Sequence, residues 1–223
     1  MGTPIAIHRR TYTCEAWDEG DGTMRVRGRL TDNKPNGLGV VDGEPLVIHD
    51  MVVDLLVRLA DFEIVAVDTG MDTHPYPLCT EVLAAYEQLV GVSIARGYNR
   101  KIKELFGGRH GCSHLGALLQ ALGPVAVQAS WSAHQLNEPV ETRLESTDDE
   151  VERERRVRLN ANTCHVWADD GAPMRAMTVG LPTIRPQWEI DRLRKLGVEV
   201  EDNPPIDELI PHEAPSEHPG EHR

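Results

Sequence analysis

The sequence predicts an α+β fold: a small antiparallel meander sheet covered by helices on one face, with an N-terminal hairpin extension. Three observations predict it. Residues 10–32 place strand-compatible Thr11, Thr13, Val26 and Leu30 around a Glu-Gly-Asp-Gly turn at 19–22, whose residues tolerate positive φ. The apolar triplets Met51-Val52-Val53 and Leu55-Leu56-Val57 mark a long strand over Leu46–Leu59, followed after a turn at Asp61 by a strand over Phe62–Val67. From residue 80 onward the apolar residues fall at helical spacing instead.

Each element has a local reason. Asp32-Asn33-Lys34-Pro35-Asn36-Gly37 breaks the second hairpin strand, and 36–45 reads as a Gly-rich loop. His74-Pro75-Tyr76-Pro77 is excluded from regular structure, because proline lacks an N–H and restricts the residue before it. A helix is predicted over Thr80–Val90, with Val82, Leu83, Tyr86, Leu89 and Val90 on one face. A second is predicted over Tyr98–Phe106, stopped by Gly107-Gly108, and a third from Ser113 to Leu122, ahead of Gly123-Pro124. Residues 146–160 read as a charged peripheral helix, Thr163–Trp167 as a short strand and Trp188–Leu196 as a last helix. One domain is expected over 1–201, with a disordered Pro/Glu/His-rich tail at 202–223.

Bulk properties exclude several function classes. A net charge of −13 argues against a nucleic-acid partner, which needs a basic face to displace phosphate counterions. No apolar run reaches the roughly 18 residues that a membrane helix requires, and no secretion signal is visible. The four cysteines, Cys14, Cys79, Cys112 and Cys164, are widely spaced, so a cytoplasmic setting with free or metal-bound thiols is expected. Homo-oligomerisation stays open.

The chemistry concentrates in Gly-Gly-Arg-His-Gly-Cys-Ser-His at 107–114. Cys112 and His114 flank a helix start, where free N–H groups and the helix dipole favour the thiolate that a metal needs. Cys79 stands near another helix start, and His49-Asp50 opens the long strand where the sheet meets those ends. His49, Asp50, Cys79, Cys112 and His114 are therefore the expected ligands of a divalent metal, zinc or iron. His110, Asp32 and Lys34 are the candidate catalytic residues, and Arg25, Arg27 and Arg29 the candidate binders of an anionic substrate. Each also has a plain structural reading, as buried thiol, core histidine or solvated strand face. Cys164-His165 is left as an extra ligand, a redox partner or a buried strand residue.

Two resemblances add to this reading. Leu-Thr-Asp-Asn-Lys-Pro (30–35), His-Asp-Met (49–51), Pro-Tyr-Pro-Leu-Cys (75–79), Gly-Gly-Arg-His-Gly-Cys-Ser-His-Leu (107–115) and Thr-Cys-His (163–165) resemble a bacterial domain-of-unknown-function family, which implies no activity. More faintly, Ile48-His49-Asp50-Met51, Cys79 and His110-Gly-Cys112-Ser-His-Leu115 look like the U-type iron–sulfur scaffold proteins. That likeness implies a small sheet covered by helices and metal ligands at Asp50, Cys79 and Cys112. The first scaffold cysteine is absent, with Ile48 and His49 in its place, so a single ion is expected rather than a cluster.

Three functions follow: a metal-dependent lyase, hydratase or hydrolase acting on a small anionic metabolite; a metal or iron–sulfur carrier; and a regulatory or interaction protein with a structural metal. An open coordination position favours the first.

Overall fold

The computed structural model describes residues 3–38, 43–95, 97–136, 150–178 and 185–203. Four strands, β1 (Arg9–Asp18), β2 (Thr23–Lys34), β3 (Leu46–Arg58) and β4 (Ile64–Thr73), form one antiparallel sheet in the order β1-β2-β3-β4. The meander is as expected, and the N-terminal hairpin β1–β2 forms its first two strands. Phe62 does not join the last strand: it turns with φ 63°, and β4 starts two residues later and runs to Thr73.

Alternation along β2 and β3 builds the core. Met24, Val26, Gly28 and Leu30 face inward on β2, opposite Val57, Leu55, Val53 and Met51 of β3. Helix α1 (Tyr98–Phe106) and helix α2 (Ser113–Leu136) supply Ile102, Phe106, Leu115, Leu118, Leu119 and Leu122 to the same cluster. Gly28 is where α2 comes closest. A Cβ there would lie 2.8 Å from Leu118 Cδ1 and 2.9 Å from Leu122 Cδ2, so those leucine ends would have to shift to admit one.

Two helical expectations and one strand expectation are corrected. The stretch expected as an α-helix over Thr80–Val90 is a run of 3-10 turns over Pro77–Leu89. Its partly buried Leu83 and buried Tyr86 and Leu89 recur every third residue, the 3-10 period, while Val90 is exposed. The α2 helix does not stop at Leu122 but continues through Pro124 to Leu136. Proline inside a helix costs about 3 kcal/mol. Pro124 lies on the exposed side, and Ala126 and Ala133 carry the buried stripe on past it. Thr163–Trp167 is not a strand: His165–Trp167 is a 3-10 turn. Asn162 takes a left-handed φ of 57° and its N–H donates to Trp167 O at 2.8 Å, closing a loop on itself.

The residues group into two compact units, Met1–Glu138 and Pro139–Arg223. The second unit contains helices α3 (Glu150–Asn160), α4 (Ala172–Thr178) and α5 (Gln187–Lys195). Among its described residues Met174, Ala176, Met177, Ile190 and Leu193 are buried. Residues 39–42 of the expected loop, 146–149 of the charged helix and 204–223 of the tail lie outside the described residues. No helix among those described is long and apolar enough to cross a membrane.

Candidate metal centre

Asp32 occupies the inner face of β2, two residues beyond Leu30, at a position the strand period reserves for the core. It is only 1% exposed. The antiparallel register sets Arg10 of β1 and His49 of β3 directly on either side of it. The result is a charged row, Arg10–Asp32–His49, closing the end of an otherwise apolar sheet face. A β-bulge at Ile48 follows at once, since Asp32 pairs with His49 and Asn33 with Val47.

The carboxylate is heavily engaged. Arg10 donates from Nε to Oδ1 at 2.7 Å and from Nη2 to Oδ2 at 2.6 Å, a two-pronged fork. His8 Nε2 lies 3.1 Å from Oδ1 and His49 Nδ1 3.0 Å from Oδ2. His114, one residue into α2, brings Nε2 to 3.6 Å from Oδ2, and its ring packs on His49 with centroids 3.9 Å apart. The hydrogen bonds from Arg10 above all, helped by those from His49 and His8, hold the Asp32 carboxyl well below the usual carboxylate range despite its burial. Burial pushes the His114 imidazole down, as do the neighbouring His49 and Arg10, while Asp32 opposes them.

The start of α2 is fixed by the 3-10 segment. Tyr86 stacks on Phe106 with centroids 4.4 Å apart, and its hydroxyl accepts from the Cys112 N–H at 2.9 Å. Burial pushes the Tyr86 phenol up to about 12, so it stays protonated at neutral pH. Gly111 lets the chain turn in before Cys112, since a Cβ there would lie 2.6 Å from the Phe106 carbonyl oxygen. Cys112 then sets its Sγ 3.7 Å from Nδ1 of His114, on the far edge of the ring from Asp32.

Asp32, His49 and His114 each offer one ligand atom, and the three atoms lie within 4.8 Å of one another. Among the described residues this is the one group of three or more His, Cys, Asp or Glu side chains so arranged. The histidines expected at a metal, His49 and His114, thus come together, but with a different carboxylate. Asp50 follows His49 directly on a strand and so projects to the opposite face, where Arg29 forks onto it at 2.7 and 2.6 Å. Cys79 is not in the group, and Cys112 adjoins it only through His114. The trio Asp50, Cys79 and Cys112 implied by the scaffold likeness does not assemble.

The other candidates are also placed. His110 is exposed in the 3-10 turn Gly108–His110, and Lys34 is exposed at the end of β2, on the same side of the strand as Asp32. Arg25, Arg27 and Arg29 line the outer face, away from the site, and each is paired. Arg25 meets Glu19 at 2.6 Å, Arg27 binds Asp54, and Arg29 binds Asp50 and, at 2.8 Å, Asp72. Cys164 is an exposed free thiol of the second unit, and His165 opens its 3-10 turn.

Sequence reasoning placed Asp32 in catalysis and missed Arg10 and His8 at the site. The signal was available: an aspartate in phase with Met24, Val26 and Leu30 is a buried charge that requires partners. The partners' identity depends on cross-strand register, which single-strand periodicity does not reveal.

No curated protein and no solved structure matches the chain. The family described as "Protein of unknown function (DUF2889)" matches residues 8–128, a span that begins at His8 and holds every residue of the centre. More than half of the sequence is covered, and the chain belongs to that family.

Proposed function

We propose that the protein is a metal-dependent enzyme of the lyase, hydratase or hydrolase type, acting on a small anionic metabolite, with zinc or iron held by Asp32, His49 and His114. The observation that carries this reading is the convergence of one carboxylate and two imidazoles at the inner end of the sheet. Three protein ligands of this kind leave coordination positions open, as catalytic zinc and non-haem iron sites do, whereas structural sites close all four. A bound ion would polarise a substrate oxygen or activate water.

The chain's own residues suit the task. Asp32 stays ionised, and the lowered affinity of His114 for protons keeps its ring neutral and able to donate a lone pair at neutral pH. The Cys112 sulfur beside Nδ1 of His114 orients that ring so that Nε2 faces Asp32. The sheet register holds Asp32 and His49 on rigid strands, which favours a pre-set geometry over a loop-borne one.

Elemental analysis of untagged protein tests the reading. About one equivalent of zinc or iron is expected, falling to background in His49→Ala and His114→Ala. Unchanged metal content in both variants overturns it.

One observation favours a second reading. Cys112 Sγ, His114 and Asp32 lie in sequence, with steps of 3.7 and 3.6 Å. That order matches a thiol nucleophile, its base and an orienting carboxylate. A metal-free enzyme inactivated by iodoacetamide and indifferent to chelators would select it.

A further inference from the structure

The oxygen best placed to bind a metal is already in use. Asp32 Oδ2 lies 3.0 Å from His49 Nδ1 and 3.6 Å from His114 Nε2, and Arg10 Nη2 sits on it at 2.6 Å. A divalent ion within bonding reach of those three ligand atoms would be pressed against a guanidinium of like charge. The carboxylate therefore cannot serve both cations well in this arrangement.

Arg10 has somewhere to go. It lies on the edge strand β1 and its side chain is 35% exposed, whereas His49 and His114 are 13% and 22% exposed. His8, 46% exposed, stands at the same rim on the other oxygen. The arginines of the outer face are no substitute. They lie across the sheet and are neutralised by Glu19, Asp50, Asp54 and Asp72.

We infer that Arg10 is the resident counter-ion of Asp32 in the metal-free protein, that it competes with the metal for that carboxylate, and that the guanidinium so released is the site's oxyanion-binding group. This inference rests on the metal reading above. The fork that grips Asp32 would grip a substrate carboxylate or phosphate with the same two-pronged geometry. His8 supplies a second donor at the rim. Metal and anion then bind with positive coupling, since each favours the state in which Arg10 has left Asp32.

Zinc titration of metal-free wild type, Arg10→Gln and Arg10→Lys tests this, followed by acetate and inorganic phosphate titrations of each zinc-loaded protein. Arg10→Gln is expected to bind zinc about tenfold or more tightly than wild type, within the usual range of site-to-site coupling. It should also lose the zinc-dependent binding of whichever oxyanion the wild type takes. Arg10→Lys keeps the charge without the fork, so it should gain less zinc affinity and still bind the anion more weakly than wild type. A preference for acetate over phosphate, or the reverse, names the source of the oxyanion.

Equal or weaker zinc binding by Arg10→Gln overturns the inference, as does anion binding that is unchanged in both variants. Circular dichroism reports folding; if Arg10→Gln is unfolded, Arg10→Lys decides by the same two comparisons. A wild type that binds no zinc or ferrous iron removes the metal reading and this inference with it. A wild type that binds metal but is unaffected by either Arg10 substitution removes this inference alone.

Discussion

The sheet carries two arginine–aspartate forks with nearly identical geometry and opposite surroundings. On the inner face, Arg10 grips Asp32 at 2.7 and 2.6 Å; on the outer face, Arg29 grips Asp50 at 2.7 and 2.6 Å. Asp32 is 1% exposed, and Asp50 is 18% exposed beside a guanidinium that is half in solvent. Bond lengths alone would rank the pairs as equals. Water makes the difference. The outer pair trades one solvated state for another, while the inner carboxylate has given up its hydration and depends on protein donors. The proposed function follows the same division, because a desolvated carboxylate beside two imidazoles could hold a metal ion, whereas a solvated ion pair is a surface feature.

The sharpest test of that contrast removes each aspartate in turn. Asp32→Ala should lower the unfolding free energy by about 3 kcal/mol, as expected when one partner of a buried charge cluster is lost. It should also abolish metal binding. Urea unfolding and elemental analysis read the two effects. A loss below about 1 kcal/mol would mean that Asp32 is as dispensable as its outer counterpart.

Acid titration gives an intermediate effect. His114 has a depressed proton affinity in the folded state, so its contribution to stability is present above about pH 6.5, the unfolded value, and is lost as the pH falls. Asp32 is depressed too, and its contribution, present above about pH 3.9, is lost only at lower pH. The melting temperature of metal-free protein should therefore begin to fall below about pH 6.5 and fall again below about pH 4. His114→Gln should remove the first decline and leave the second. A wild-type melting temperature that is flat between pH 7 and 5 would contradict the assignment.

The smallest effect belongs to the outer face. Asp50→Asn should change stability by no more than about 1 kcal/mol, as solvent-accessible ion pairs generally do, and leave metal content unchanged. Loss of metal in that variant would restore Asp50 as a ligand and break the distinction between the faces.

Much of the fold was legible because its elements declare themselves locally. The Glu-Gly-Asp-Gly turn, the apolar run of β3, and helix α1 closing at Gly107 follow from nearest-neighbour chemistry. Where the expectation missed, a tertiary contact outweighed a local signal. Pro124 should end a helix, but the apolar stripe of α2 continues beyond it against the sheet. The candidate site shows the same limit. His49, His114 and Asp32 were all singled out, yet Asp32 was assigned to catalysis and Asp50 was grouped with the two histidines, whereas the fold clusters Asp32 with them.

By itself the sequence determined the strand alternation, and with it which side of β2 Asp32 must occupy and that Asp50 cannot share a face with His49. Those are properties of one chain segment with a period of two. Only the tertiary structure decided that Arg10, Asp32, His49 and His114 meet. Their meeting depends on the β1–β2 and β2–β3 registers and on where Tyr86 anchors the start of α2. A register shift of one residue would leave every local preference intact and would turn Arg10 or His49 to the other face. Burial of the whole inner face selects the register, and so it selects the site.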